Sequence, residues 1–444
     1  MRKQLGSPPE VTPQELAAVI TQVREYQLIT PLFGGGAVAG ETDPITTIRG
    51  SEVRGQLRFW WRAYRGGQYK TLEELKQAED KIWGTASTKH GGGPSQVHIQ
   101  IEADAVPANA QKAPFFINQA GKVRSRENVA PAYAAFPLQP SDEDIHAGTP
   151  LKTVCIGVSF TLTISFPDTQ QQDIEAALWA WETFGGIGAR TRRGFGALRL
   201  VSVNDADNTD LPDANTQTPE DWIKRKLGRI IVPGTYLAGM PHLKPTTQFK
   251  ITPPSSDAKA VWDDLIDALK SFRQRRRPSA HPNNPGRSEW PEPSEIRKLT
   301  NQSLPAHSSP IPNPPIHKFP RAVFGLPIIF QFKDRDRNYH DNPNKDPRQT
   351  VLQLETSERL ASPLILKPLA CKDGKYVGLA LLLEGTGVDE DQLILKTQKG
   401  TPDQQNVKAA FAPTESLVVG EDNSGAPIHI DSATNALQAF LRYL

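Results

Sequence analysis

Cysteine is almost missing from this 444-residue chain, with Cys155 and Cys371 its only two. They lie far apart and neither has a second Cys or a His at ligand spacing, which argues against a disulfide framework and a structural zinc site. The nine histidines contain no His-x-x-x-His pair. A global charge of one sign is missing too: 51 Lys plus Arg stand against 49 Asp plus Glu, so any case for a polyanionic partner must be local. Long apolar runs are lacking, and the stretch at 376–383 falls far short of the roughly 20 residues of a membrane helix. The first ten residues, Met-Arg-Lys-Gln-Leu-Gly-Ser-Pro-Pro-Glu, have no apolar signal core. A soluble, cytoplasmic protein with no membrane partner is expected.

Proline and glycine are plentiful, 39 and 33 residues, within a composition of 37% hydrophobic and 23% charged residues. That describes a globular chain with long connections. Its length predicts two domains. In the first half, a short apolar segment at 19–29 leads into a glycine loop. Val53, Leu57, Trp60, Trp61 and Tyr64 then recur on one face of a helix predicted over 52–65, capped by Ser51 and stopped by Gly66 and Gly67. Thr71-Leu-Glu-Glu74 reads as a capping box opening a second helix that buries Leu75, Ala78 and Ile82 and ends at Gly84. Apolar residues alternate over 97–101 and again over 154–166, as half-buried strands require. A helix at 173–184 and a strand at 197–203 complete the order β-α-β-β-α-β, with an insertion at about 103–150. The expected fold class is α+β: antiparallel sheets with helices on one face, in two ferredoxin-like (RRM-like) domains with insertions. Their limits are 19–205 and 206–444, after an N-terminal extension at 1–18. The second unit is read from a helix at 258–272, candidate strands at 327–332, 363–367 and 376–383, and a terminal helix at 433–444 capped by Ser432.

Two glycine and arginine constellations carry the functional argument. In Thr30-Pro-Leu-Phe-Gly-Gly-Gly, the run Gly34, Gly35, Gly36 lets backbone amides approach an anion, although it lacks the ending of a nucleotide-binding P-loop. Between Arg49 and Arg65 five arginines face a single acid, Glu52. Arg54, Arg58, Arg62 and Arg65 line up along one helix, and four like charges in a row repel unless something neutralises them. Phosphates would do so, and so would acids brought in from elsewhere in the fold. Trp60 and Trp61 fall within the apolar stripe and are assigned to the core. The second constellation, Gly185-Gly-Ile-Gly-Ala-Arg-Thr-Arg-Arg-Gly-Phe-Gly196, joins Gly188 and four other glycines to Arg190, Arg192 and Arg193 without an acid. It lies after a helix and before a strand, the reverse of a dinucleotide fold. The run Arg273-Gln-Arg-Arg-Arg277 is a secondary candidate, equally readable as a solvated helix end. Glu41 with Asp43, and Asp334, Asp336, His340 and Asp341, could each hold a divalent ion, but polar loop is the plainer reading and no cofactor or metal is assigned.

These phrases, above all Ile48-Arg-Gly-Ser-Glu-Val-Arg-Gly-Gln-Leu-Arg-Phe-Trp-Trp-Arg62, resemble the RAMP superfamily of CRISPR proteins and, within it, the first subunit of the Cmr (type III-B) module. Gly286-Arg-Ser-Glu-Trp-Pro-Glu-Pro293, Phe319-Pro-Arg-Ala-Val-Phe-Gly-Leu-Pro-Ile328 and Arg359-Leu-Ala-Ser-Pro-Leu-Ile-Leu-Lys-Pro368 extend the resemblance over most of the chain. It implies a ribonucleoprotein subunit that binds CRISPR guide RNA near its 3′ end, helps capture complementary target RNA, sits beside other Cmr RAMP subunits and does not itself cut. The alternative is a RAMP-type endoribonuclease. The residues carried over are Gly34, Gly35, Gly36, Arg49, Arg54, Arg58, Arg62, Arg190, Arg192 and Arg193, whereas Arg65 and Gly188 rest on their place in the stripe and the second loop.

Overall fold

The computed structural model describes residues 18–36, 40–43, 45–88, 91–214, 218–279, 286–332, 343–347, 349–397 and 404–444. The first half is built on strand β1 (Val19–Leu28), whose alternate residues Tyr26 and Leu28 point into the core. Helix α1 (Gly50–Arg65) and helix α2 (Leu72–Trp83) follow. Then come β2 (His98–Glu102), β3 (Ser159–Pro167), α3 (Gln171–Phe184), β4 (Leu198–Val203) and a short β5 (Ala206–Asp207). They form one antiparallel sheet in the order β5-β4-β1-β3-β2. Its register sets apolar partners opposite one another, with Tyr26 beside Phe160, Leu28 beside Leu198 and Ile99 beside Ile164. Trp181 of α3 lies over Tyr26, their ring centroids 5.4 Å apart, and Trp60 of α1 meets Phe184 at 5.9 Å.

Two boundaries differ from the sequence expectation for physical reasons. Helix α1 begins at Gly50 because the Arg49 carbonyl accepts the amides of Glu52 and Val53, so Arg49 and not Ser51 is the capping residue. The strand expected over 154–166 is broken at Gly157, which takes a positive φ of 71°. Val154 and Cys155 pair with residues 111–112 instead, and the main strand starts at Ser159. Thr71 does cap α2, accepting the Glu74 amide, while Glu74 reaches back to the amide of Lys70.

The second half adds α4 (Pro219–Ile230), β6 (Phe249–Ile251), α5 (Ala258–Arg273), α6 (Glu292–Thr300), β7 (Ile328–Phe330), β8 (Thr350–Leu354), β9 (Leu364–Ala370), β10 (Tyr376–Leu382), β11 (Leu393–Thr397), β12 (Gln404–Asn406), β13 (Leu417–Glu421), β14 (Pro427–Ile430) and α7 (Ala436–Tyr443). Strands β6, β10 and β9 form a three-stranded antiparallel sheet in that order, and β13 pairs with β14. β7, β8, β11 and β12 form a separate sheet around Phe319, Leu352 and Leu395. The candidate strand at 327–332 therefore belongs to this separate sheet, and among the described residues the sheet under α5 has three strands. The last helix starts at Ala436, capped by Asn435, whose side chain accepts the amides of Leu437 and Gln438; Ser432 is not its cap.

β9 is buried on both faces along its whole length, and so is all of β10 except Tyr376. Ile365, Leu369, Val377, Leu379 and Leu381 join the core of the first unit, whereas Leu364, Leu366, Ala380 and Leu382 pack beneath α5 with Trp262 and Leu265. Burial on two faces explains why 376–383 reads as a continuous apolar run and not as an alternation. Lys367 is the exception in β9: fully buried, it donates to the carbonyls of Glu182 and Gly185 at the end of α3, both at 2.9 Å. Desolvation pulls its ammonium down to about 7. The two halves thus share a core and a buried polar link.

Candidate nucleic-acid interface

The fold brings the two glycine loops together. Ala189 donates its amide to the Phe33 carbonyl (2.6 Å), Gly196 to that of Pro31 (2.9 Å), and Thr30 Oγ1 donates to the Gly194 carbonyl (2.6 Å) while accepting from the Ala197 amide (2.8 Å). Gly188 has φ +83°, and a Cβ there would stand 2.5 Å from the Phe33 carbonyl oxygen, so only glycine allows this approach. Glu52 ties the pair from α1: its Oε1 accepts the Gly188 amide at 2.6 Å, and its carboxylate lies against Gly35. Burial raises the pKa of Glu52, opposed by the Gly188 amide and Arg49. The Gly36 amide is taken by the Glu41 carbonyl, and Arg49 donates to the Gly36 carbonyl at 2.9 Å. The expectation that these glycine amides face an anion is therefore corrected at Gly36 and Gly188, whose amides serve the protein itself.

The α1 stripe is likewise occupied from within. Arg58 Nε and Arg62 Nη1 both donate to Oε1 of Glu79 on α2, at 2.6 and 2.5 Å, and Glu79 is buried. Arg65 pairs with Asp173 on α3, its Nε at 2.7 Å. Arg54 donates to Ser95 Oγ (2.6 Å) and to the carbonyls of Val97 and Trp83. Glu52 is not the only acid within reach, because folding delivers Glu79 and Asp173 to the row. Two guanidiniums on one carboxylate leave a local excess of one positive charge at Arg58 and Arg62, each about one-third exposed. Trp60 and Trp61 are buried core residues, as expected from their spacing.

A different arginine cluster lines a cavity of about 1400 Å³, where the second glycine loop faces the second half of the chain. The loop contributes Arg190, Arg192 and Arg193. The second half contributes Arg273, Arg276, Arg287, Arg297 and Arg321. Among the described residues one acid lines this cleft, Asp346, and it is committed to Arg297 through two contacts of 2.7 and 2.8 Å. Arg321 pairs with Glu292 at 3.0 Å. Among the described residues the other six have no ion pair; their contacts are with neutral acceptors such as the carbonyls of Ser362, Leu364 and Gly286 and the Tyr133 hydroxyl. The Nε groups of Arg190, Arg273 and Arg287 are buried without a described partner. Burial lowers all six pKa values, and Arg193 falls to about 9 because Arg273, Arg190 and Arg192 add their repulsion. Aromatic rings interleave with the charges: Arg192 lies over Phe59, Arg273 over Phe324 and Arg297 over Phe332. Phe136 and Ile329 stand exposed at the wall.

The basic run at 273–277 is a solvated helix end only in part: Arg276 and Arg277 are exposed, but Arg273 packs against Tyr133 and Phe324, Arg275 pairs with Glu289, and Arg276 lines the cleft. Arg287, Arg297 and Arg321 are not singled out as binding candidates in the sequence because no arginine or glycine run surrounds them. Glu41 and Asp43 form no cluster with a third ligand, since among the described residues no group of three His, Cys, Asp or Glu could hold a metal. Asp334, Asp336, His340 and Asp341 lie outside the described residues. No helix among the described residues is long and apolar enough to cross a membrane.

Residues 25–199 match the family model for the RAMP superfamily. The chain is similar to the CRISPR system Cmr subunit Cmr1-2 of Pyrococcus furiosus, 28% identical over 201 residues that cover 41% of this chain and 95% of that protein. It is also similar to Cmr subunit Cmr1-1 of the same organism, 21% identical over 242 residues, which cover 52% of this chain and 66% of that protein. Among solved structures it resembles apo Cmr1 from Pyrococcus furiosus with a TM-score of 0.47 and 17% identity, covering 87% of this chain and 93% of that one. A chain of the type III-B Cmr-beta complex bound to cognate target RNA matches with a TM-score of 0.45 and 11% identity, covering 82% of this chain and 95% of that one. The family match thus lies on the first unit, and the relatives that the chain resembles beyond it are Cmr1 subunits.

Proposed function

We propose that this protein is a non-catalytic RNA-binding subunit of a Cmr-type CRISPR effector, holding guide RNA and helping to capture complementary target RNA in the cytoplasm beside other RAMP subunits. One observation carries the binding reading: six arginines without an ion pair among the described residues converge on one cleft, and the one acid that lines it among those residues, Asp346, is already used. Guanidiniums placed side by side at a cost in desolvation and repulsion gain most from a polyanion. Their carbonyl contacts orient them without neutralising them. A phosphate backbone supplies repeated negative charge at the length of such a cleft, and base sequence would be left to guide pairing. The assignment to a Cmr assembly is supported by the relatives, which are named as Cmr subunits.

We also read the first unit as ferredoxin-like, supported by a strand order in which the fourth strand, the first, the third and the second lie side by side. The three-stranded sheet under α5 repeats the first, third and second places of that order, supporting a divergent second copy.

The test is direct binding of labelled single-stranded RNA by the purified chain between 50 and 200 mM salt. The logarithm of affinity is expected to fall linearly with the logarithm of salt, with a slope set by the number of phosphates contacted. Absence of binding at 50 mM salt, or a flat slope, overturns the reading. The RNA is expected to stay intact with and without Mg²⁺; specific cleavage would overturn the non-catalytic part alone.

A further inference from the structure

Beside the arginine cleft lies a second cavity of about 400 Å³, between α6 and the proline-rich segment at 303–317. The two cavities share Ser294, Arg297 and His307, so they adjoin along α6. Their chemistry differs. Ile311, Ile316, Pro310, Pro315 and Pro343 give the smaller one apolar walls. Its charged groups are largely matched in place: Glu295 holds His317 by Nδ1 at 2.5 Å, and Asp346 holds His307 by Nδ1 at 2.7 Å as well as Arg297. A carboxylate on Nδ1 fixes each ring and leaves Nε2 as the edge turned to a ligand. The side chains of Asn301 and Gln302 add amide groups at the rim.

A phosphate gains less here than in the cleft, because Arg297 is committed to Asp346 and Lys298, beside His317, is a single ammonium. What such a cavity suits is a flat, mostly apolar group with a polar edge. Single-stranded RNA carries that group beside every phosphate, and proteins read single strands by taking bases out of the stack. We propose that this pocket receives one unstacked nucleobase from a strand whose phosphates occupy the adjoining arginine cleft. The base buries its faces against Ile311, Ile316 and the proline rings, and its edge meets the two imidazoles and the amides. The inference rests on the RNA-binding reading above and adds to it a contact that guanidiniums on a backbone cannot make. It turns a charge-only grip into one that sets the register of the strand.

The experiment uses the full chain and single-stranded RNA carrying 2-aminopurine, an adenine analogue whose fluorescence rises on unstacking, at successive positions. At one register the emission is expected to rise on binding. Ile316→Trp, which fills the cavity, should abolish that rise and weaken binding about tenfold, with the salt slope unchanged because no phosphate contact is lost. His317→Gln, on the exposed rim, should reduce the rise without touching the core, and it decides the matter if circular dichroism shows Ile316→Trp to be misfolded. No binding by the unchanged chain overturns the RNA-binding reading and this pocket with it. Binding without a rise at any position, or a rise that survives both folded variants, overturns the pocket alone.

Discussion

Two groups of arginines in this molecule have nearly the same composition and opposite situations. On α1, Arg58 and Arg62 share Glu79, Arg65 holds Asp173 and Arg54 meets only neutral acceptors, so two acids from the elements packed beside it offset half of the row's charge. Around the cleft, Arg190, Arg192, Arg193, Arg273, Arg276 and Arg287 have only neutral acceptors among the described residues, and burial, with mutual repulsion added, lowers Arg193 to about 9. The first group spends its charge on joining α1 to α2 and α3. The second finds no acid to neutralise it among the described residues. Arginine density along a sequence therefore says little about binding until the acids have been located in space.

The comparison breaks most visibly in the cleft. Reversing two charges there, Arg190→Glu with Arg276→Glu, should weaken single-stranded RNA binding on the order of 100-fold at 0.1 M salt and flatten the salt slope by roughly two units. Gel-shift titrations across salt measure both. An unchanged affinity would show that the cleft's charge is structural too, and that the two groups do not differ.

Next in size is removal of the acid that separates them. Glu79→Ala leaves Arg58 and Arg62 facing each other with no carboxylate between them. Loss of one partner of a buried pair costs about 3 to 5 kcal/mol, and because both arginines are one-third exposed we expect about 2 kcal/mol of stability here. The midpoint of urea or thermal unfolding should drop clearly, and Glu79→Gln, which keeps an acceptor oxygen, should lose less. A midpoint that does not move would mean that Glu79 is not what neutralises the stripe.

The elements with strong local periodicity were legible in the sequence. The apolar stripe of α1 and the alternation along β3 each need only their own residues to be read, and both occupy the places their patterns indicate. The strands β7, β8, β11 and β12 were mostly hidden, because three to five residues amid prolines and turns carry too little pattern. Strands β9 and β10 were visible as apolar runs, but their two-sided burial against both units was not. Both glycine loops stand out in the sequence and meet in the fold. Their mutual contact through Glu52 was not foreseeable, since Glu52 and Gly188 are 136 positions apart. The site misled in one respect: charge counted within seventeen residues of sequence could not include Glu79 or Asp173. The cleft was half visible for the same reason, as its arginines come from segments between Arg190 and Arg321.

The smallest expected effect is the sharpest discriminator, because sequence alone favoured the opposite. Arg58→Ala with Arg62→Ala removes two guanidiniums from the helix that carries the family phrase, and a phosphate-gripping stripe would lose about tenfold in affinity and up to two units of salt slope. With Glu79 already holding both, the variant removes two positive charges and uncovers one negative one. That should change RNA affinity by less than about twofold at 0.15 M salt, where the Debye length is about 8 Å and an exposed charge outside the cleft is screened. Stability should fall in the same variant, since Glu79 is left buried and unpaired. Binding and unfolding measured on one preparation thus separate the two roles: lost stability with retained affinity assigns the stripe to the fold, whereas a tenfold loss of affinity returns it to the RNA.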